Sequence, residues 1–575
     1  MPILSLVNSN KSTETLTVTA GAKRVFQALF WQSRKGGLDE DTPRLRVSDM
    51  VSKMAFFYEK IRNSVDYREE ALLSKEAISR ILKRLLLIEG VFSFKKEAEP
   101  EKLAQSLLEE LIRAGYLQNN KLPETKINEV AVIIHKFLVL RDLAQDRVAG
   151  SGRFFVGDEK ITAKKKKKGL DDKSDLNTWL IGLMASEIEE NLNENEATDA
   201  IVAVMYEVLS KAVKLPPELP YDRDLPIQIY LGICRNYLKL NDYYILSFVL
   251  FKYFNEDWQQ PTTETVERVA DRLDELKAAI DSQVEHPLTT HLNKVVHQYT
   301  VYFTILRDVI NKDPKKAYNT LERDPAGFMR QIKEAASKRY QEAKSKLWKS
   351  AIRSIIFIFL TKSVLVVVLE VPAIKFFGEE VKMIPLLINI TLPALLLFIS
   401  VVLLRLPGDN NTAKIASGIE EVLYVEKSRK QPIVLRAPRR VAGRAISFIF
   451  NIIYAATFLL TFGFVIWGLD QLHFSWVSMV IFVFFLSFAS FFVIRIRRNP
   501  LYWVVVEPPE NFFTFLWSFV SVPVTATGKW LSGKFSKLNF LAFILDFIVE
   551  APFKVLVTVA EEWTKYLKER KDSIS

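Results

Sequence analysis

Three long apolar runs in the C-terminal half constrain this chain more than any other feature. They cover residues 383–404, 446–469 and 474–494. A helix needs about 20 apolar residues to cross a hydrocarbon core of about 30 Å. Inside lipid the backbone must satisfy its own hydrogen bonds, so an uninterrupted apolar run of this length forms a helix. Each run is therefore predicted to be a transmembrane helix.

A fourth run, residues 352–377, carries two charges. Lys362 lies near its middle and Glu370 lies near its far end. A central lysine costs about 3 kcal/mol on insertion scales, and the surrounding Ile, Val, Leu and Phe offset that cost. The run is predicted to be a span, so residues 352–494 would hold four transmembrane helices.

Polar residues within these spans are the candidates for intramembrane function. An ionisable residue there often faces a cavity or a partner helix, although a lysine can also extend toward the head groups. Asparagines can form hydrogen bonds between spans, and we hypothesise that Lys362 pairs with one of them. The candidates are Lys362, Glu370, Asn389 and Asn451.

The positions of Lys and Arg predict the orientation of the spans. The turn at residues 470–473 has neither residue, whereas the connection at residues 405–444 has several. Basic residues in short loops mark the cytosolic side, so we expect two hairpins with both termini in the cytosol. Candidate contacts to lipid head groups are Lys344, Lys346, Lys349, Arg439, Arg440, Arg495, Arg497 and Arg498.

The C-terminal region, residues 495–575, allows two interpretations. Residues 511–528 have no charge, and residues 539–560 are apolar but interrupted by charges. If both crossed the membrane there would be six spans, and the lysines between them would lie outside, against the charge rule. We predict instead aromatic amphipathic helices that lie in the interface or re-enter the membrane, followed by a cytosolic tail.

The N-terminal region reads as helical throughout. We predict a poorly ordered tail (1–45), a helical subdomain (46–149), a Lys-rich linker (150–175) and a second helical subdomain (176–325). The first subdomain would begin with a helix at Met50 to Val65 and continue with helices at 74–89, 101–116 and 127–144. The linker contains Lys164 to Lys168; its alternative role is docking on lipid head groups or nucleic acid.

Three segments of the second subdomain and its boundary have distinct patterns. Residues 227–254 are apolar but broken by charges, which predicts a buried helical hairpin. Residues 263–283 and 288–311 repeat apolar positions in steps of three and four, which predicts an antiparallel pair with coiled-coil character. That pair could be an ordinary intradomain hairpin or a self-association surface. Residues 326–351 form a basic juxtamembrane helix that we expect to run directly into the first span.

Motifs for catalysis or cofactor binding are missing from the sequence. It has no phosphate-binding loop, dinucleotide fingerprint, HExxH or GxSxG. Cys234 is the only cysteine, so neither an intramolecular disulfide nor a cysteine zinc site can form within the chain. Glutamates at 187, 189 and 190 are interpreted as a solvated face. We therefore predict no enzyme activity, no cofactor and no metal.

The net charge of +11 fits a membrane protein with cytosolic basic residues beside anionic lipid. Nucleic-acid binding is the less favoured explanation. Residues 107–117 are similar to the helix before the wing of a winged-helix DNA reader, but that fold requires strands to follow.

One stretch carries a family resemblance. Residues 54–84 (MAFFYEKIRNSVDYREEALLSKEAISRILKR), followed by the hairpin spans, resemble uncharacterised multi-pass membrane proteins of candidate-phyla bacteria. The resemblance implies a bacterial plasma (inner) membrane and no particular activity.

Together these observations predict an all-α protein. A large helical cytosolic N-terminal region would precede a C-terminal transmembrane helical bundle with interfacial amphipathic helices. The favoured function is a membrane-anchored scaffold or protein-interaction module, and the alternative is an oligomeric channel or transporter component. Expected partners are the lipid bilayer and a protein, or a second copy bound through residues 263–283 and 288–311.

Overall fold

The computed structural model describes residues 16–34, 43–47, 70–92, 99–151, 162–193, 195–402, 404, 407–435, 444–506, 519 and 521–531, and positions 559, 563, 566 and 570. These residues are almost entirely helical, so the predicted all-α class is confirmed. Contacts divide the chain into two units. One contains residues 31–297 and 540–575, and the other contains residues 1–30 and 298–539.

The unit built on residues 31–297 is a helical domain without a membrane span among its described residues. Its helices are α2 (Glu70–Phe92), α3 (Pro100–Arg113), α4 (Thr125–Ser151), α5 (Thr162–Leu192), α6 (Glu196–Ala212), α7 (Leu225–Asn236), α8 (Tyr243–Phe254), α9 (Thr263–Asp271) and α10 (Leu273–Val284), with a two-residue strand β1 (Val213–Lys214). Several of these helices have an N-cap side chain. The Asn195 side chain accepts a hydrogen bond from the Thr198 N–H, and the Asp242 side chain accepts one from the Tyr244 N–H. Such caps satisfy the free N–H groups of a first helical turn.

A large hydrophobic core cluster in this unit extends across the predicted linker. Leu108 and Ile134, which precede the predicted linker, share it with Trp179 and Phe251, which follow it. Helix α5 begins at Thr162, so the linker predicted at residues 150–175 overlaps helices at both ends. The proposed boundary between two subdomains is therefore replaced by one core, because the apolar face of α5 is covered by α2 and α4. The predicted helix at Met50 to Val65 lies outside the described residues.

The hairpin at residues 227–254 is buried as predicted. It consists of α7 and α8, each 12 residues long. At 1.5 Å per residue, neither helix can cross a hydrocarbon core of about 30 Å. Its inward side chains include Leu231, Cys234, Phe248 and Phe251, all members of the unit's core.

The first helix of the predicted antiparallel pair, residues 263–283 with 288–311, is not continuous. Arg272 leaves the helical conformation (φ −116°, ψ 23°) and divides the first segment into α9 and α10. Helix α9 packs on α4 and α10 packs on α8. The apolar repeat of Val266, Val269, Leu276 and Ile280 therefore serves the common core rather than a two-helix seam.

The other unit contains the juxtamembrane and apolar helices. Its elements are the first part of α1 (Ala20–Arg34), the second part of α11 (Leu288–Lys312), α12 (Pro314–Arg323), α13 (Pro325–Leu365), a π turn (Val366–Glu370), α14 (Val371–Phe376), α15 (Met383–Val402), α16 (Asp409–Leu423), β2 (Ile433–Val434), α17 (Arg444–Gln471) and α18 (Trp476–Leu501). The prediction of a poorly ordered tail is wrong for residues 20–34. Ala22, Val25, Phe26 and Leu29 form a buried helical face, and the ring of Phe26 lies 5.5 Å from that of Tyr318.

Four helices are long and apolar enough to cross a membrane, in the places predicted. Helix α13 runs without a break for 41 residues, as expected of the basic helix that enters the first run. Helices α13, α15 and α18 pack against one another. Helix α17 packs against α18 through residues that include Leu469, and most of its surface is exposed apart from buried positions such as Thr457 and Thr461.

The connection at residues 405–444, to which the sequence analysis assigns no helix, contains α16. This helix packs on the juxtamembrane part of α13. Buried Asn411 is its central contact: the Nδ2 group donates to the Tyr340 hydroxyl and to the Trp503 carbonyl, both at 2.8 Å. Its Oδ1 accepts from the N–H groups of Val505 (2.7 Å) and Val506 (3.0 Å). One asparagine thus joins α13, α16 and the segment after α18.

A further helical segment covers residues 521–531. Gly528 lies so close to the Ser487 carbonyl on α18 that an added Cβ would collide with it. Residues 511–528 are predicted to lie in the interface or to re-enter; their described part packs on the middle of an apolar helix. The rest of the predicted amphipathic region lies outside the described residues, apart from isolated positions.

Candidate intramembrane site

A change in helix geometry places Glu370 at the centre of the apolar bundle. At residues 366–370 the chain forms a π turn, closed by the Val371 N–H donating to the Val366 carbonyl. Pro372 accounts for this turn, because proline has no N–H for the Val368 carbonyl and its ring would clash with that carbonyl in a regular helix. Glu370 is the last residue of the turn, and its side chain is fully buried.

One amide group and one hydroxyl group donate hydrogen bonds to the same oxygen of the Glu370 carboxylate. Asn389 on α15 donates from Nδ2 to Glu370 Oε1 at 2.6 Å. Ser478 on α18 donates its hydroxyl to the same oxygen. Pro393, four residues after Asn389, also offers no N–H to the Asn389 carbonyl, so α15 is polar at the same level. Three helices thereby converge on Glu370.

Lys362 lies two helical turns before Glu370 on α13 and is also fully buried. Its Nζ is 5.1 Å from the ring centre of Phe482 and 4.9 Å from that of Phe485, both on α18. Aromatic faces attract a cation and stabilise it in part where water is excluded. Glu370 is the acidic group whose charge acts on Lys362.

The cluster retains unused hydrogen-bonding capacity. Lys362 Nζ, Glu370 Oε2 and Asn389 Oδ1 are buried and have no hydrogen-bond partner among the residues that the structure describes. Leaving such groups unpaired costs about 1–3 kcal/mol each, and more when they are charged. One donor and two acceptors are therefore available to a small polar ligand at this site.

Of the four predicted intramembrane residues, Glu370 and Asn389 are in direct contact, Lys362 is buried two turns earlier against the same helix α18, and Asn451 lies elsewhere. Asn451 is exposed on α17. It lies six residues before buried Thr457, which places it about 120° around the helix from that side chain. The hypothesis that Lys362 pairs with an asparagine is wrong, because Asn389 binds the carboxylate of Glu370 instead.

Ser478 is a site residue that the sequence analysis missed. The available signal was the pair Ser475 and Ser478 at the start of α18, where the Ser475 hydroxyl accepts from the Ser478 N–H at 3.1 Å. Such serines are typical of helix starts. Nothing in their spacing indicates a carboxylate from another helix.

The predicted head-group contacts fall into two groups. Lys344, Lys346 and Lys349 are exposed on α13, Arg495 is exposed on α18 and Arg497 is half-buried there. Arg439, Arg440 and the Arg498 side chain lie outside the described residues. Contact with lipid remains a prediction for all of them.

The glutamates interpreted as a solvated face include one buried group, Glu189, and one partly buried group, Glu187. Glu187 pairs with buried Lys136 at 2.5 Å and accepts from the Trp258 indole N–H at 3.1 Å. Glu189 is 8% exposed and accepts from Asn193 Nδ2 at 2.9 Å. The apolar core around α5 explains the difference, since one side of that helix is covered. Among the described residues no group of three His, Cys, Asp or Glu could hold a metal ion.

Glu189 is expected to make the stability of this unit pH-dependent. Burial raises the pKa of Glu189 from 4.5 to about 7, partly opposed by the hydrogen bond from Asn193. The folded state then binds more protons than the unfolded state between these values, so stability falls as pH rises from about 4.5 to about 7. The loss contributed by this group is on the order of 3 kcal/mol.

Thermal unfolding of the full chain across this pH range measures the effect. Glu189→Gln keeps an acceptor for Asn193 and is expected to remove this part of the pH dependence, with a higher Tm than the parent above pH 7. Glu190→Gln, at an exposed position paired with Lys252, serves as the control that retains it. Equal pH slopes for the parent and Glu189→Gln would contradict the assignment.

The structure thus defines an all-α protein with four helices that could span a membrane and a buried charged cluster among three of them. Comparison with protein-family models, with curated proteins and with solved structures finds no match to the chain.

Proposed function

We propose that this protein moves an ion across a membrane, as a channel or transporter component with the Lys362–Glu370 site in its pathway. The observation that supports this proposal is the burial of both charges at 0% exposure among apolar helices. Charged residues within a membrane are expensive, and they commonly mark ion pathways or proton relays. The π turn at Glu370 adds support, because such turns occur frequently at functional sites.

The proposal also specifies how the chain is oriented and which membrane contains it. The charge pattern supports cytosolic N- and C-termini, and the family resemblance supports a bacterial plasma membrane. A single cysteine at position 472, in a Cys234→Ser background, should react with an impermeant reagent added outside intact cells. Reaction only after the cells are opened would reverse the orientation.

Ion flux in proteoliposomes tests the function. Vesicles that contain the full chain and enclosed indicators for H⁺, Na⁺, K⁺ and Cl⁻ should show flux of one ion above that of empty vesicles. Lys362→Met and Glu370→Gln should each lower this flux at least about tenfold, because either change removes one charge of the pathway. Lys375→Gln changes an exposed lysine on α14 and should leave the flux unchanged. Equal flux in all variants, or none above empty vesicles, would reject the proposal.

A second function, a membrane-anchored scaffold, is favoured by a groove in the soluble part of the same unit. The groove has a volume of about 840 Å³ and lies between α11, α12 and α13. Arg339 in its wall is bound by Asp308 at 2.6 and 2.7 Å. Lys312, Lys316 and Lys338 also line it and are exposed. The groove is also lined by Asp308, Asp313, Glu334 and Glu342, so it presents both signs of charge and fits a partner segment that contains both acidic and basic residues.

Charge reversal at the groove tests this second function. Changing Lys312, Lys316 and Lys338 to Glu should abolish capture of a partner that the parent protein retains at low salt and loses at high salt. Lys333→Glu, an exposed lysine of α13 outside the groove, is the control. If the triple variant captures the same protein as the parent, the groove is not the docking site.

A further inference from the structure

The buried cluster contains one positive and one negative group and no other titratable side chain among the described residues that face it. Helix α15 has no titratable residue at all. Helix α18 presents Ser478, Phe482 and Phe485, while its Arg495 and Arg497 lie near its opposite end. On the first run, Arg353 and Lys375 are exposed. Helix α17 packs on α18, and its Tyr454 and Asp470 are exposed. Lys362 and Glu370 are therefore the titratable groups of this cluster among the residues that the structure describes.

The paired charges select against most ions. A metal cation would find two acceptors without partners, Glu370 Oε2 and Asn389 Oδ1, but would be repelled by the Lys362 ammonium. An anion would be attracted by Lys362 and repelled by Glu370. A proton meets neither difficulty, because it becomes part of one of the two groups and changes that group's charge.

The unpartnered atoms also suit proton exchange through water. Lys362 Nζ can only donate in its charged form, and Glu370 Oε2 and Asn389 Oδ1 can only accept. A water molecule placed between these atoms would accept from the first and donate to the other two, and buried waters typically make about three such bonds. Asn389 and Ser478 donate to the other carboxylate oxygen and so stabilise the ionised form of Glu370.

We propose that Lys362 and Glu370 form a water-bridged proton-binding site. One N–H bond of the Lys362 ammonium breaks, and its electron pair stays on the nitrogen. The proton passes to water, and the water passes a proton to Glu370 Oε2, where an O–H bond forms. The result is a neutral amine and a neutral carboxylic acid. A further proton from the aqueous side then restores the ammonium. This inference rests on the proposed function, since it names the ion as a proton.

Infrared difference spectroscopy of the full chain in lipid nanodiscs tests the inference. The C=O stretching band of a protonated buried carboxyl should grow as pH falls, and it should be missing in Glu370→Gln. Ser478→Ala removes one donor to the ionised carboxylate and should raise the midpoint of this band by about one to two pH units. Ser487→Ala, a buried hydroxyl that donates to the Val483 carbonyl on the same helix, is the control with an unchanged midpoint.

Each combination of results from these variants either supports or contradicts the proton-binding site. If Glu370→Gln does not fold, Ser478→Ala still decides, because it retains both charges. Identical titrations of parent and Glu370→Gln, or an unchanged midpoint in Ser478→Ala, would overturn the proton site. If another ion crosses vesicles while no carboxyl titrates, the transport function stands without the proton. If the carboxyl titrates and no ion crosses, the proton site stands without transport.

Discussion

Replacing Glu370 by leucine is expected to lower the free energy of unfolding by about 3–5 kcal/mol, because Lys362 would stay buried without its counter-charge. The phenyl rings of Phe482 and Phe485 stabilise the ammonium only in part. Adding Lys362→Met to Glu370→Leu should restore most of the loss, since an apolar pair of similar volume suits this environment. The two substitutions are therefore expected to be strongly non-additive.

Unfolding by SDS in mixed micelles, followed through tryptophan fluorescence, measures this double-mutant cycle. Lys375→Met, at an exposed position nearby, should change stability by no more than about 0.5 kcal/mol. If the costs of Glu370→Leu and Lys362→Met simply add, the two residues are not coupled. The water-bridged proton site would then lose its physical basis as well.

Asn411→Leu is expected to lower the free energy of unfolding by roughly 3 kcal/mol or more. Leucine has a similar shape but can replace none of the four hydrogen bonds of the amide. The N–H groups of Val505 and Val506, the Trp503 carbonyl and the Tyr340 hydroxyl would lose their partner together. Asn411 is itself buried, so water can replace little of this loss.

The same unfolding experiment checks this result, with limited proteolysis between residues 407 and 435 as a second measurement. Loss of the amide should expose the α16 region to cleavage, since this helix is joined to α13 and to the segment after α18 through Asn411. Asn410→Leu, one position earlier and exposed, should leave both measurements unchanged. Equal stabilities of the two variants would mean that the hydrogen bonds of Asn411 are replaced elsewhere.

Local patterns predicted the helices well where one stretch of chain determines them. Helix α15 covers residues 383–402 of the run predicted at 383–404, and residues 446–469 lie within α17, because apolar length alone makes such runs helical. The continuity of α13 from its basic start at Pro325 also follows from local sequence, since residues 326–365 contain no proline. Likewise, the charges inside residues 227–254 were sufficient to distinguish a buried hairpin from a span.

Sequence patterns gave wrong predictions where the answer depended on which element packs against a helix face. The apolar repeat of Val266, Val269, Leu276 and Ile280 was assigned to a coiled coil, but the same repeat packs on α4 and α8. Glu187 and Glu189 were assigned to solvent because carboxylates usually lie there, and only the packing around α5 shows that both are covered. An apolar repeat in the sequence indicates that one face of a helix is buried, but it does not indicate which element packs on that face.

The candidate site divides in the same way. Lys362, Glu370 and Asn389 stand out in the sequence because each is polar within an apolar run, and Pro372 already implies a disturbed helix beside Glu370. Which of them meet depends on the rotation of three helices about their axes, and hydropathy contains no information about rotation. The sequence by itself therefore determined the apolar helices and their polar residues. Only the tertiary structure decided that Ser478 joins the site and Asn451 does not, because side chains on separate helices meet through packing and not through spacing along the chain.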